Sequence, residues 1–245
     1  MRIALVSGGD YGIGKGITLR LAEQGYQVIT FSNNKDNAAA LAREALEGNL
    51  TIQTMTGDTT CSKDVTMVVD QVLQSYGKID VLCLAAGIKL PGDIVETGED
   101  VWDRIFDVNV KGVYLFCHAV VPSMIDQQAG SIILFSSPSA NGEKNHIAYA
   151  SSKGALLSLT KSLAMDCREH HIRVNAIVPG FTRSGMTEKL PAEKFLQKSK
   201  QNVAGRVNEP EDIANIVSFL ISDQAQTISG AVIDVGIIHG EMVIR

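Results

Sequence analysis

Ile3-Ala4-Leu5-Val6-Ser7-Gly8-Gly9-Asp10-Tyr11-Gly12-Ile13-Gly14 decides how the rest of the chain reads. A short apolar, β-branched run passes directly into a glycine-rich turn, and a helical pattern follows near 12–24. Gly8, Gly12 and Gly14 let the backbone approach a pyrophosphate. The helix behind them offers free N–H groups and the positive end of its dipole. The order is G-x-x-x-G-x-G, not the G-x-G-x-x-G of the common dinucleotide fingerprint. Gly9 to Lys15 also approaches a P-loop, but Gly16 stands where that motif needs Ser or Thr to hold magnesium. The NTPase reading is therefore a poor second.

The alternation that begins there continues along all 245 residues. Apolar, β-branched runs at 2–7, 26–31, 51–56, 79–86, 130–136, 172–178 and 231–235 read as strands. Helical patterns lie between them near 12–24, 36–47, 62–76, 99–127, 148–169 and 209–222, the last starting at Glu209-Pro210. Such alternation predicts an α/β fold: one doubly wound Rossmann-type domain over 1–245, with a mostly parallel seven-stranded sheet and helices on both faces. The polar, lysine-rich segment 181–208 breaks the rhythm after Pro179-Gly180. An insertion at the carboxyl end of a strand is where a substrate lid is expected.

The second strand predicts the cofactor's identity. It ends Ile29-Thr30-Phe31-Ser32-Asn33-Asn34-Lys35, with no carboxylate at the strand end to accept from a ribose hydroxyl. A 2′-phosphate there meets donors from Ser32, Asn33 and Lys35, which favours NADP over NAD. Asp10 and Tyr11 in the glycine loop argue the other way, and Asp36 is read as capping the next helix. Asp58 after the third strand has two readings, an acceptor for the adenine amine or a cap for the helix at 62–76.

Tyr149-Ala-Ser-Ser-Lys153 places a phenol and an ammonium on one helix face. It follows the strand Ser131-Ile132-Ile133-Leu134-Phe135, which ends in the hydroxyl pair Ser136-Ser137. An ammonium about 4 Å from the phenol contributes roughly 4 kcal/mol at an effective dielectric of ~20. That is about three pKa units, enough to bring a tyrosine near working pH. Tyr149 is then expected to exchange a proton with a carbonyl or alcohol oxygen that Ser137 holds in place.

These features together resemble the short-chain dehydrogenase/reductase family in its single-domain form. The resemblance covers nearly the whole chain. The run from Ser7 to Gly14, including Ile13, resembles that family's cofactor turn. Asn109 in Asp107-Val108-Asn109-Val110-Lys111-Gly112 matches an asparagine that distorts a helix and supports a water relay. Ser137, Tyr149 and Lys153 match the other catalytic positions. The resemblance further implies cofactor contacts at Asp58, Thr59, Ala86, Gly87, Tyr149 and Lys153. Pro179-Gly180-Phe181-Thr182-Arg183-Ser184 resembles the loop at the nicotinamide carboxamide, with Thr182 and Ser184 in contact.

Three stretches depart from the family pattern. Leu84-Ala85-Ala86-Gly87 replaces Asn-Asn-Ala-Gly, Ser137 and Tyr149 stand one residue closer than usual, and Val235-Gly236-Ile237-Ile238 replaces Val-Asp-Gly-Gly. The implied chemistry is carbonyl–alcohol exchange with NADP, or NAD, in a 3-oxoacyl reductase, a sugar or polyol dehydrogenase, or a ketone reductase. Carrier-protein enzymes of the family often carry arginine before the fifth strand, where Ser131 stands here. A catalytically silent, cofactor-sensing regulator is the rival from another class. The expected substrate is a small carbonyl or alcohol, in a pocket lined by Pro138, Asn141, His146, Phe181, Met186 and residues around Ile88 to Pro91. Helices 99–127 and 148–169 resemble the family's interface helices, which implies a homotetramer or a homodimer.

Composition supports this and narrows the alternatives. The chain is 45% hydrophobic with a net charge of -5 and no basic stripe, so nucleic acid is not expected as a partner. Cys61, Cys83, Cys117 and Cys167 show no C-x-x-C spacing and suit a reducing compartment. His170 and His171 are adjacent and splay apart, so no metal site is expected. No secretory leader and no uninterrupted apolar run of about 18 residues stand out, so the expected location is cytoplasmic, away from the membrane.

Overall fold

The computed structural model describes residues 1–185, 187 and 190–237. Seven strands form one sheet: β1 (Ile3–Ser7), β2 (Gln27–Ser32), β3 (Ile52–Thr56), β4 (Val81–Leu84), β5 (Gly130–Phe135), β6 (Ile172–Pro179) and β7 (Val232–Val235). Their spatial order is β3-β2-β1-β4-β5-β6-β7, and every pairing is parallel, where a mostly parallel sheet was expected. A parallel sheet covered on both faces needs apolar side chains on both sides of each central strand. All five residues of β1 and all four of β4 are accordingly buried.

The crossovers are α1 (Gly12–Glu23), α2 (Lys35–Glu47), α3 (Ser62–Tyr76), α4 (Glu99–Phe106), α5 (Gly112–Gln127), α6 (Ile147–Cys167), α7 (Ala192–Ser199) and α8 (Pro210–Ile221). Alternation along β1 divides the core. Ile3 and Leu5 face a layer containing Val68 and Val72 of α3, Phe116 and Val120 of α5, and Leu156 of α6. Ala4 and Val6 face Ile17 and Leu21 of α1 with Ile213, Val217 and Leu220 of α8. Strand-to-strand alternation and helical spacing thus agree on which side chains share a face.

Local chemistry explains where the elements begin. Asn34, not Asp36, caps α2: its side chain accepts from the N–H groups of Asp36 and Asn37, at 3.0 Å each. Asp36 lies inside the first turn, two residues past the cap position. Asp58 does not cap α3 either, because Cys61 holds that position and Asp58 Oδ1 accepts from Thr60 instead. Pro210 starts α8 after Glu209, whose N–H donates to the Asp212 carboxylate at 2.8 Å. The helix expected at 99–127 is continuous but contains one π-helical turn, Asp107–Lys111. It is long and apolar enough to cross a membrane, yet Val113, Phe116, Val120 and Met124 bury their side chains in the core of this fold.

The segment 181–208 is not wholly irregular, since it carries α7. Thr182 bridges Asn208, and Arg183 and Asn208 donate backbone N–H groups across the base of the segment. Asn208 also ties that base to the sheet by donating to the Val235 carbonyl at 3.0 Å. Above it Phe181 packs edge-on against Phe195 of α7.

Candidate active site

The carboxyl ends of the strands converge on a cavity of about 840 Å³. Such a crevice is where ligands bind in open α/β sheets. Ser137, Tyr149, Lys153, Ile13, Gly87, Pro179, Gly180, Thr182 and Ser184 all line it. Of the expected substrate wall, Pro138, His146 and Phe181 line it as well. Asn141 is exposed and does not, Lys89 represents the stretch from Ile88 to Pro91, and Met186 lies outside the described residues.

Tyr149 and Lys153 stand one turn apart on α6 and are both buried. Ser137 follows β5 and donates its hydroxyl to Ser139 Oγ at 3.1 Å; against the larger effect of burial, its nearness draws the phenol's pKa down. Burial nevertheless dominates, pushing Tyr149 above its ordinary value, and the Glu143 carboxylate adds to the rise. The expected depression by Lys153 is therefore absent. The ammonium is 5.8 Å from the ring centroid and donates instead to the Phe135 carbonyl at 2.8 Å. Burial holds Lys153 itself down to about 8.

Asn109 sits inside the π turn and is fully buried. Its Oδ1 accepts from the Ile88 N–H at 2.8 Å, and its Nδ2 donates to the Ile88 carbonyl at 2.9 Å and to the Ser152 hydroxyl at 3.0 Å. The widened turn gives this amide room to reach the β4 loop from within a helix. Asn109 therefore stands behind the cavity wall, adjoining Gly87. A Cβ on Gly87 would come within 3.3 Å of Asn109 Oδ1 and 3.5 Å of Lys153 Nζ.

The glycine turn is built for close approach. A Cβ on Gly14 would lie 2.0 Å from the Gly8 carbonyl oxygen, and one on Gly8 would lie 2.8 Å from the Ala86 backbone. Gly8 also has a positive φ of 66°. Tyr11 precedes α1 without a side-chain cap, which leaves the first-turn N–H groups to an anion. These residues fit a dinucleotide pyrophosphate. Lys15, the lysine of the P-loop reading, points away and pairs with Glu44 of α2 at 2.6 Å.

The remaining expected cofactor residues stand at strand ends outside the lined cavity: Ser7 closes β1, Ser32 closes β2, and Asn33 follows it on the surface. Asp58 and Thr59 follow β3, with the Thr59 carbonyl packed close to Gly112. Ala86 adjoins Gly8. Two arrangements escaped sequence reasoning. Ser32 Oγ donates to the buried Asp10 carboxylate at 2.5 Å, so a negative charge does reach the end of β2, delivered from the glycine loop. Lys89, Ser139 and Glu143 form a polar cluster in the same cavity as Tyr149. Among the described residues no His/Cys/Asp/Glu cluster suited to a metal ion exists.

Comparison with known proteins agrees with this fold. A family model described as enoyl-(acyl carrier protein) reductase matches residues 8–237. The chain is 37% identical over 238 residues to the 3-oxoacyl-[acyl-carrier-protein] reductase FabG of Thermotoga maritima, covering 96% of each. It is 35% identical to human dehydrogenase/reductase SDR family member 4, covering 96% of this chain and 86% of the relative. Among solved structures, an actinorhodin polyketide ketoreductase variant crystallised with NADPH superposes with a TM-score of 0.90 at 25% identity, covering 96% of each chain. This chain, with its seven-stranded parallel sheet, glycine turn at the first crossover and buried Tyr–Lys pair beside a strand-end serine, is matched by relatives over 96% of its length and belongs to the short-chain dehydrogenase/reductase family.

Proposed function

We propose that this chain is an NADP(H)-dependent oxidoreductase that interconverts a carbonyl and a secondary alcohol, with a 3-oxoacyl reductase-like substrate range. The carrying observation is that Ser137, Tyr149 and Lys153 line one cavity while Asn109 braces its wall. When bound, the nicotinamide supplies or accepts hydride. Gly8, Gly12, Ile13 and Gly14 would hold the pyrophosphate, Pro179, Gly180, Thr182 and Ser184 the nicotinamide end, and Lys153 the ribose. Ser32, Asn33, Asp58, Thr59, Ala86 and Gly87 would complete the cofactor's surroundings. Tyr149 gives a proton to the carbonyl oxygen or takes one from the alcohol, and Ser137 hydrogen-bonds the same oxygen.

NADP is supported by Lys35 just beyond β2 and by the NADPH named with the ketoreductase relative, while the Asp10 carboxylate that takes the Ser32 hydroxyl works against a 2′-phosphate. The 3-oxoacyl reading is supported by relatives of that name. A protein-borne acyl group is less well supported, because Ser131 is buried within β5 and offers no contact to a carrier. The catalytic unit would comprise residues 1–245, with 181–208 as the substrate lid, in a cytoplasmic homotetramer or homodimer. Following NADPH and NADH absorbance against oxoesters, diketones, ketoses and polyols tests the reading. Turnover of an oxoester with NADPH is expected. Tight cofactor binding with no turnover of any substrate would favour the cofactor-sensing alternative.

A further inference from the structure

Lys89 is held unusually firmly for a lysine at a cavity wall. Its backbone neighbour Ile88 is clamped through both its N–H and its carbonyl by the buried Asn109 amide. Its ammonium lies 2.7 Å from each Glu143 carboxylate oxygen. Glu143 is fixed in turn by the Ser139 hydroxyl and by His146 Nδ1 at 3.5 Å. Lys89 Nζ lies 5.1 Å from the centroid of the Tyr149 ring, so the cluster stands directly beside the proposed acid/base. Lys89, Ser139, Glu143 and His146 share the cavity with Ser137 and Tyr149.

The stoichiometry of donors decides what this cluster can recognise. An ammonium carries three N–H donors, and the two contacts to Glu143 use two of them. Among the described residues no protein acceptor takes the third. The pair is electrically neutral as a unit, so a neutral oxygen can accept the third N–H without an uncompensated charge being buried. A carboxylate in that place would meet Glu143 beside Lys89, and repulsion from the one would offset much of the attraction to the other. It would also surrender its hydration.

Building on the carbonyl–alcohol reading above, we infer that Lys89 is a specificity-determining residue that reads a second, neutral oxygen of the substrate, one or two carbons from the reacting carbonyl. Glu143 is a positioning residue that aims Lys89 and offsets its attraction for free carboxylates. The substrate class is thus an oxoester, diketone or hydroxyketone rather than a lone ketone or an oxoacid.

Steady-state reduction of ethyl acetoacetate, methyl propyl ketone and acetoacetate with NADPH tests this. Lys89→Met is expected to lower kcat/KM for ethyl acetoacetate about tenfold or more, mainly through KM, while methyl propyl ketone changes far less. Glu143→Gln is expected to raise acetoacetate relative to its ethyl ester. A general folding defect would lower both ketone substrates together and leave their ratio intact. An ester-to-ketone ratio in Lys89→Met within about twofold of the parent overturns the assignment. If the parent protein reduces none of the three while binding NADPH, the oxidoreductase reading fails, and this inference falls with it.

Discussion

Lys153 on α6 donates its ammonium to the backbone carbonyl of Phe135, the last residue of β5, at 2.8 Å. The bond fastens the proposed catalytic helix to the strand end that precedes Ser137. It also keeps a buried cation in place, and burial lowers that cation to about 8 from an ordinary 10.5. The unfolded chain therefore binds this proton more tightly than the folded one. The resulting destabilisation, on the order of 3 kcal/mol, is fully present below about 8 and is relieved as pH rises toward about 10.5. Subtracting the stability of Lys153→Met from that of the parent should give a difference that rises over this interval. Urea denaturation of both proteins at several pH values measures it. A flat difference would show that Lys153 titrates normally.

Tyr149→Phe removes only the phenolic oxygen from a buried ring. Turnover should fall by roughly two to four orders of magnitude. NADPH affinity, read by fluorescence titration, should change less than about threefold, because the ring and its packing remain. Retained turnover would exclude Tyr149 as the proton donor.

Asn109→Ala should cost stability before it costs anything else. The amide satisfies both backbone groups of Ile88 and the Ser152 hydroxyl in a fully buried position. Leaving the two Ile88 groups unpaired costs about 3 kcal/mol, whereas Ser152 keeps its bond to the Tyr149 carbonyl. Thermal unfolding should shift down by roughly 6–12 °C in a chain of this size.

Asp10→Ser tests the charge at the end of β2. The parent holds the Asp10 carboxylate on Ser32, at the strand end where the adenosine ribose would lie. Removing that negative charge should raise the ratio of NADPH to NADH affinity by about tenfold, since repulsion of a phosphate is lost while a hydroxyl ligand is barely affected. An unchanged ratio would place the 2′ position elsewhere.

The sheet was legible because each strand carries its own apolar, β-branched signature and each helix its own period. The Tyr149–Lys153 pair was legible for a similar reason, as i and i+4 meet on any helix. What escaped depends on distance along the chain. Asp10 and Ser32 are 22 residues apart, and Lys89 and Glu143 are 54 apart, so no local pattern joins them. The distortion at Asn109 was expected from the family resemblance alone, because the π turn at Asp107–Lys111 leaves the apolar rhythm of the helix almost intact. The expected depression of Tyr149 failed for another reason. Spacing places an ammonium on the right face but says nothing of the Phe135 carbonyl that claims it. Nor does spacing reveal the burial that opposes phenolate formation.

The parallel bridge between Thr182 and Asn208 carries a consequence for evolution. Because entry and exit of the segment are clasped to each other, its length and composition are uncoupled from the register of β6 and β7. Lengthening a loop closed at its base in this way carries only a small entropic penalty. Insertions there would leave the Tyr149–Lys153 pair on α6 and Ser137 after β5 where they stand.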